Sequence, residues 1–388
     1  MRYAFLTPEF PTTIHGAGGL ATYTRRMARL VAHGGHDVEV FVLNSTRDDV
    51  VEFEGYIVRH ILHVQGHLLT LRNRVLHRLG LQATAAKQSL RDAAELIADA
   101  VEARHASSPF DVAHSPDYLG TGIALYPSPG RLHVVRCSAA MDLYMDCDGR
   151  TDPASAEHIA VEREAVARAD IAIAPSALVA DHYERILGRK VHVVRPPAYL
   201  ENTPSQRPHW LPKRFLVHFA GFLSERKGTG LIAKALPLAL AQEPGLIMIW
   251  VGKLASDSPL RIAPANLMIL DRLGKPELYA VLKAATAAVL PSKVDNIPNT
   301  LVESLLLGTP VIVTKGASQD EMVEPGPGAM LIEYGNHLAL ADAMVAAWRD
   351  ELGKATKPWL ESTIGSSFMP DTALSVHLSH LRAAGVRC

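Results

Sequence analysis

The chain has 388 residues, 48% of them hydrophobic and 20% charged, with 39 Lys and Arg against 40 Asp and Glu. That apolar content excludes a disordered chain. The formal net charge of −1 excludes a general nucleic-acid binder, whose affinity rests on a basic surplus.

The length exceeds what one core of roughly 150 residues needs, so two domains are expected. Cys137, Cys147 and Cys388 are odd in number and lack a paired metal-ligand spacing, which fits a reducing compartment. The opening MRYAFLTPEF is broken by Pro8 and Glu9, short of a signal peptide's apolar region, and no window approaches the ~18 apolar residues of a membrane span. A cytoplasmic location is expected.

Short β-branched runs alternate with longer Ala-, Leu-, Glu- and Arg-rich segments, the pattern of βαβ units around parallel sheets. In the first half, strands are expected at 3–6, 38–43, 111–114, 133–136, 171–174 and 191–194. Helical periodicity fills 19–33, 83–105, 156–168 and 177–187. Residues 196–212, rich in proline and polar side chains, interrupt the rhythm. It resumes with strands at 215–219, 246–251, 267–270, 287–290 and 311–313 and helices at 230–242, 276–284 and 299–307. The expectation is therefore an α/β protein: a domain over 1–200, a linker over 201–212, a second doubly wound domain over 213–358, and a segment 359–388 able to pack back on the first domain. Ligands of open α/β sheets sit beyond the carboxyl ends of the strands, so motifs should gather there, in a cleft between the two domains.

Two stretches at such strand ends carry chemistry. His15-Gly16-Ala17-Gly18-Gly19-Leu20-Ala21 precedes the first helix, where glycines admit close backbone approach and unpaired N–H groups attract an anion. It fits a dinucleotide fingerprint poorly, because PEFPTTIH separates it from the strand and the second strand ends at Asn44 rather than an acid. The second stretch runs from Pro291 to Ile312. Pro298, Asn299 and Thr300 open a helix whose first N–H groups suit an anion. Asp295 and Glu303, eight positions apart, suit hydrogen bonds to vicinal sugar hydroxyls; the alternative is a turn cap and a solvated helix residue.

This second stretch resembles the E-x7-E region of the retaining glycosyltransferases of family 4, with Asp295 in place of the first glutamate. The resemblance extends over nearly the whole chain, through GGLATY, Ala174-Pro175-Ser176, VHVVRPPA and the run from Phe219 to Gly228. It implies a GT-B fold of two facing Rossmann-like domains, and transfer of a sugar from a nucleotide-sugar donor to a hydroxyl acceptor with retention. No metal and no further cofactor are required. By that resemblance Glu303 would hold the ribose hydroxyls, and Asp295 with the backbone of Asn296 and Ile297 the donor sugar. Asn299 and Thr300 would offer the helix start, while Gly18 and Gly19 would approach the diphosphate. Lys227, with Arg226 beside it, would neutralise the departing nucleotide.

Two positions depart from the family. Phe222 stands where an arginine usually follows the motif glycine, and Ser138 lies where many relatives have a histidine. Both put catalytic detail in question.

On the acceptor side, Glu9, His114, Asp117 and Ser138 lie at strand ends of the first domain. Asp142, Asp146 and Asp148 read as an acidic loop. From Gly55 to Arg91 there is no acid, and residues 66–82 read as a basic amphipathic helix. That helix would rest on anionic lipid, as a peripheral contact at the inner membrane face, or pack its leucines into the first domain. Three other readings stand beside the transferase: a non-catalytic sugar-nucleotide binding protein, a sugar-nucleotide epimerase or hydrolase of the same fold, and a nicotinamide-dependent oxidoreductase.

Overall fold

The computed structural model describes residues 1–12, 18–44, 46–63, 78, 82–138, 140–149, 152–222, 225–253, 266–271 and 273–386. The chain forms two units: Met1–Pro197 together with Pro370–Cys388, and Ala198–Met369.

In the first unit, β1 (Arg2–Thr7), α1 (Gly19–His33), β2 (Asp37–Asn44), β3 (Val50–Phe53), β4 (Tyr56–Leu62) and α2 (Gln82–Ser107) are followed by β5 (Val112–Pro116) and β6 (Leu132–Arg136). Then come α3 (Met141–Cys147), α4 (Pro153–Arg168), β7 (Ile171–Ala174), α5 (Ala177–Leu187) and β8 (His192–Val193). The strands lie in the order β3-β4-β2-β1-β5-β6-β7-β8. Only the β3–β4 pair is antiparallel among these described pairings.

Strands covered on both faces read as continuous apolar runs, which is why β1 and β2 are nearly all buried. Helix α1 turns Tyr23, Met27, Ala28 and Val31 onto Tyr3, Phe5, Val40 and Val58, the spacing of one helical face. Asp152 caps α4 by accepting from Ser155 N at 3.0 Å, and Ser176 caps α5 by accepting from Val179 N at 3.3 Å.

The second unit contains β9 (Leu216–Phe222), α6 (Thr229–Gln242), β10 (Met248–Lys253), β11 (Leu267–Leu270), α7 (Lys275–Ala284), β12 (Ala287–Leu290), α8 (Asn299–Leu306), β13 (Val311–Thr314), β14 (Ala329–Ile332) and α9 (His337–Trp348). Its parallel sheet has the order β11-β10-β9-β12-β13-β14, that of a doubly wound Rossmann sheet. Alternation along the strands divides the core. Leu216, Met248, Trp250 and Ile312 face α6 and α9, while Val217, Ile249, Val251 and Val313 face α7 and α8.

The structure adds elements that the periodicity did not predict. β3 and β4 are joined by a tight turn at Glu54 and Gly55, both at positive φ, a hairpin written in only four and seven residues. β14 and α9 complete the second sheet. The acidic loop expected at 142–148 is a helix instead. Asp142 stands in the first turn of α3, where its carboxylate accepts from Leu143 N at 3.0 Å and complements the positive helix end.

Residues 201–212 lie within the second unit, with Leu211 buried in its core. The last helix, α10 (Pro370–Ala383), belongs to the first unit and buries Ala373, His377 and Leu381, spaced one turn apart. Of residues 66–82, only Arg78, which is exposed, and Gln82, which begins α2, lie within the described residues. No helix among the described residues is long and apolar enough to cross a membrane.

Glu39 on β2 joins sheet to helix. Its carboxylate accepts from Arg2 at 2.9 Å, Arg59 at 2.5 Å and Arg104 at 3.0 Å. Burial pushes the carboxyl up, but the hydrogen bonds and charges of Arg104 and Arg59 outweigh it and hold it below its ordinary value of 4.5. Its stabilisation is therefore full above that value and is lost as the pH falls through the lower, folded one. Because the arginines keep contact with water, Glu39→Ala should cost about 2 kcal/mol rather than the 3 to 5 of a fully buried pair. Urea unfolding measures this, and Glu39→Gln should flatten the acid limb of the stability profile.

Candidate active site

The carboxyl ends of β9 and β12 meet in the second unit around Asp295. That residue is 6% exposed, so its charge needs partners. Lys227 donates to Oδ2, Arg226 to Oδ1 at 3.3 Å, and Ser292 Oγ to Oδ2 at 3.3 Å. Burial alone pushes the Asp295 carboxyl up, but Lys227 and Arg226 together hold it below its ordinary value. Burial pulls Lys227 down against the opposing pull of Asp295.

The turn that presents both cations is locked to the β12 loop, since Lys293 N donates to Arg226 O at 2.7 Å. Gly228 follows at φ 78°, and a Cβ there would lie 2.0 Å from Pro291 O, so a side chain cannot be admitted. Beneath Lys227, buried His218 gives its Nδ1 to Val289 O at 2.7 Å, and burial pulls its pKa down to about 4.

The loop beyond Asp295 is strained. Ile297 has φ 54°, a value a β-branched residue adopts only when its surroundings impose it. Burial of its side chain and a hydrogen bond from its N–H to Ser318 Oγ at 3.2 Å hold it there. Asn296 N donates to Asp295 Oδ1 at 3.0 Å, so both amides expected to face a donor sugar have acceptors within the protein. Asn299 and Thr300 are half-buried at the start of α8.

Glu303, in the same helix, is 1% exposed and thus no solvated helix residue. Its Oε1 accepts from Lys275 and, at 3.4 Å, from Tyr279 OH. Asp295 and Lys227 are therefore joined directly, whereas Glu303 has a separate set of partners.

The first-unit candidates separate into three groups. Glu9 reaches the start of α1, accepting from Ala21 N at 3.2 Å, and a Cβ on Gly18 would lie 2.9 Å from its Oε1. A carboxylate thus occupies the helix end that Gly18 and Gly19 were expected to offer to a diphosphate.

Asp117 and Ser138 come together. Ser138 N donates to Asp117 Oδ1 at 2.6 Å, Tyr183 OH to Oδ2 at 2.9 Å, and Arg136 to Ser138 Oγ at 2.6 Å. His114 is 3% exposed behind them, 3.4 Å from Tyr23 OH, and burial, with Arg136 nearby, pulls its pKa well below the ordinary value.

Asp142 bonds His182 at 2.7 Å and Arg163 at 2.9 Å. Burial pushes its carboxyl up, but those two partners outweigh it and hold it at about 2. The charge of Asp142 is thus answered within the protein. Asp146 and Asp148 are exposed, and among the described residues no cluster of His, Cys, Asp or Glu is placed to hold a metal ion.

Comparison with known proteins matches residues 18–197 to the family described as "Glycosyl transferase 4-like domain" and residues 214–350 to "Glycosyl transferases group 1". Both units thus match glycosyltransferase families, and the chain is a glycosyltransferase of GT-B fold. D-inositol 3-phosphate glycosyltransferase 1 of Catenulispora acidiphila is 26% identical over 363 residues, covering 82% of this chain and 79% of that protein. D-inositol 3-phosphate glycosyltransferase of Pseudarthrobacter chlorophenolicus is 25% identical over 370 residues, covering 86% and 83%. Among solved structures, sucrose-phosphate synthase from Thermosynechococcus elongatus superposes with a TM-score of 0.74 at 19% identity, covering 99% of this chain and 100% of that one.

The glycosyltransferase has candidate site residues that sequence patterning missed. Ser318 and His218 carry no motif, because their contacts come from segments that meet only in space, while Ser292 lies in the stretch singled out and bonds Asp295 three residues on. Lys275 did carry a signal, a cation at a helix start near the carboxyl end of β11.

Removing Asp295 from the glycosyltransferase leaves Lys227 and Arg226, each 21% exposed along its side chain, without the buried acid between them. Asp295→Ala should therefore cost about 2 kcal/mol, as at Glu39. The double variant Lys227→Met/Asp295→Leu should cost less than this single one. Chemical denaturation of the cycle checks it, and additive losses would remove the pair.

Proposed function

We propose that this glycosyltransferase moves a sugar from a nucleotide-sugar donor to a hydroxyl acceptor, with retention and without a metal ion. The observation that carries the reading is the pairing of half-buried Lys227 and Arg226 with buried Asp295 at the carboxyl ends of β9 and β12. As the bond between the anomeric carbon and the donor phosphate breaks, negative charge grows on the leaving diphosphate. Two cations held in a low-dielectric site stabilise that charge more than they would in water.

The acceptor oxygen bonds the anomeric carbon on the face the phosphate leaves, and its proton passes to the departing phosphate oxygen. Asp295 keeps both cations in place before the donor arrives. Once the donor is bound, it accepts from the hydroxyls of the transferred sugar. Glu303, buried in α8, accepts from the ribose hydroxyls.

The curated relatives are named for D-inositol 3-phosphate, so a phosphorylated cyclitol is the first acceptor to try. Phe222 in place of the family's arginine makes Arg226 the second cation at the leaving group.

Transfer assays with UDP-, GDP-, ADP- and dTDP-sugars in the presence of a chelator test the reading, with the anomeric configuration of the product read by NMR. Lys227→Ala should lower kcat by roughly a hundredfold while leaving donor KM little changed. Donor binding without transfer or hydrolysis would favour a non-catalytic binding protein. Loss of activity on chelation, or an inverted product, would remove the metal-independent, retaining chemistry.

A further inference from the structure

Glu303 sits almost wholly out of water, yet both described partners of its carboxylate fall on one oxygen. Lys275, from the first turn of α7, donates to Oε1, and Tyr279 OH, one turn further along the same helix, lies 3.4 Å from that same atom. The Lys275 ammonium also rests over the Tyr279 ring, 5.6 Å from its centroid. Among the described residues none donates to Oε2. Lys275 is 39% exposed along its side chain while Glu303 is 1% exposed, so the cation spans from solvent to the buried acid.

We infer that Lys275 and Tyr279 are positioning residues that fix the Glu303 carboxylate by one oxygen and present the other to the ribose. They would thereby set the preference of the site for ribonucleoside over 2′-deoxyribonucleoside diphosphates. The inference rests on the donor role proposed for Glu303 and adds what holds that residue in its working state.

A buried carboxylate accepts strongly only when charged and oriented. Lys275 supplies the counter-charge and Tyr279 fixes the rotation about the last side-chain bond. A site built to hydrogen-bond a hydroxyl discriminates strongly against an analogue lacking it, because its buried acceptor is left unpaired. Discrimination at the 2′ position therefore depends on how well Oε2 is aimed.

Isothermal titration of the full chain against UDP, GDP and ADP and their 2′-deoxy counterparts tests this. The wild-type protein should prefer one ribonucleotide over its deoxy form by roughly a hundredfold. Lys275→Met should cut that preference by roughly tenfold, with deoxynucleotide affinity unchanged, and Lys275→Arg should restore it. Tyr279→Phe, which keeps the ring and its packing, should show a smaller loss of the same kind.

Equal weakening of both nucleotide forms would make Lys275 a phosphate contact or scaffold and overturn the inference. So would an unchanged preference in Lys275→Met alongside its loss in Glu303→Gln, leaving the donor role of Glu303 intact. If the wild-type protein binds no nucleotide, the donor reading itself falls, and this inference with it.

Discussion

Charge removed from water must be answered locally, and much of the polar architecture of both units follows from that demand. Asp295 is answered by Lys227 and Arg226, Glu303 by Lys275, Glu39 by three arginines, and Asp142 by His182 and Arg163. Each answer joins elements distant in sequence. The turn after β9 is bound to the loop after β12, the start of α7 to the middle of α8, and α2 to β1, β2 and β4. Parallel sheets make this feasible by bringing successive strand ends to one edge, where loops of different origin meet. The same geometry that puts ligand chemistry at strand ends also lets the protein neutralise it before a ligand arrives.

The doubly wound character of both units was legible because fully buried parallel strands are uninterrupted β-branched runs. Strands 267–270 and 287–290 and helices 19–33 and 177–187 coincide with the elements found. What escaped was short or two-sided. The β3–β4 hairpin lies at a sheet edge, where Val50–Phe53 alternates exposed and half-buried positions and carries too few residues to register. Helix α3 escaped because its two aspartates, with Asp148 just beyond it, suggest a solvated loop. That composition is stable only because Asp142 meets a histidine and an arginine from two other helices.

In the site, pattern and geometry carry different information. Spacing and resemblance picked out Lys227, Arg226 and Asp295, and the structure brings these together. The same reasoning offered Gly18 and Gly19 to an anion, whereas the helix end beside them is taken by Glu9. It offered the amides of Asn296 and Ile297 to a sugar, whereas Asp295 and Ser318 accept from them. Sequence spacing says which groups reach a strand end. It does not say which have already been claimed by a neighbour in the fold. His114 makes the point from the other direction: a polar residue near the carboxyl end of a first-unit strand, yet sealed among Phe5, Tyr23 and His377.

Helix α10 is drawn from the far end of the chain, yet its His377 and Leu381 complete the core around Tyr3 and Met27. The first unit is therefore discontinuous, and the second is threaded through it as an insertion. On a ribosome the order of completion reverses the order of synthesis. All of 198–369 is synthesised before the residues that seal the first unit, so the nascent sheet of β1 to β8 must wait with the part of one face beside α1 uncovered. A fragment ending at residue 197 would keep that gap beside α1 permanently. Helix α10 thus acts as a seal on the first unit, set only after the whole of the second has been made.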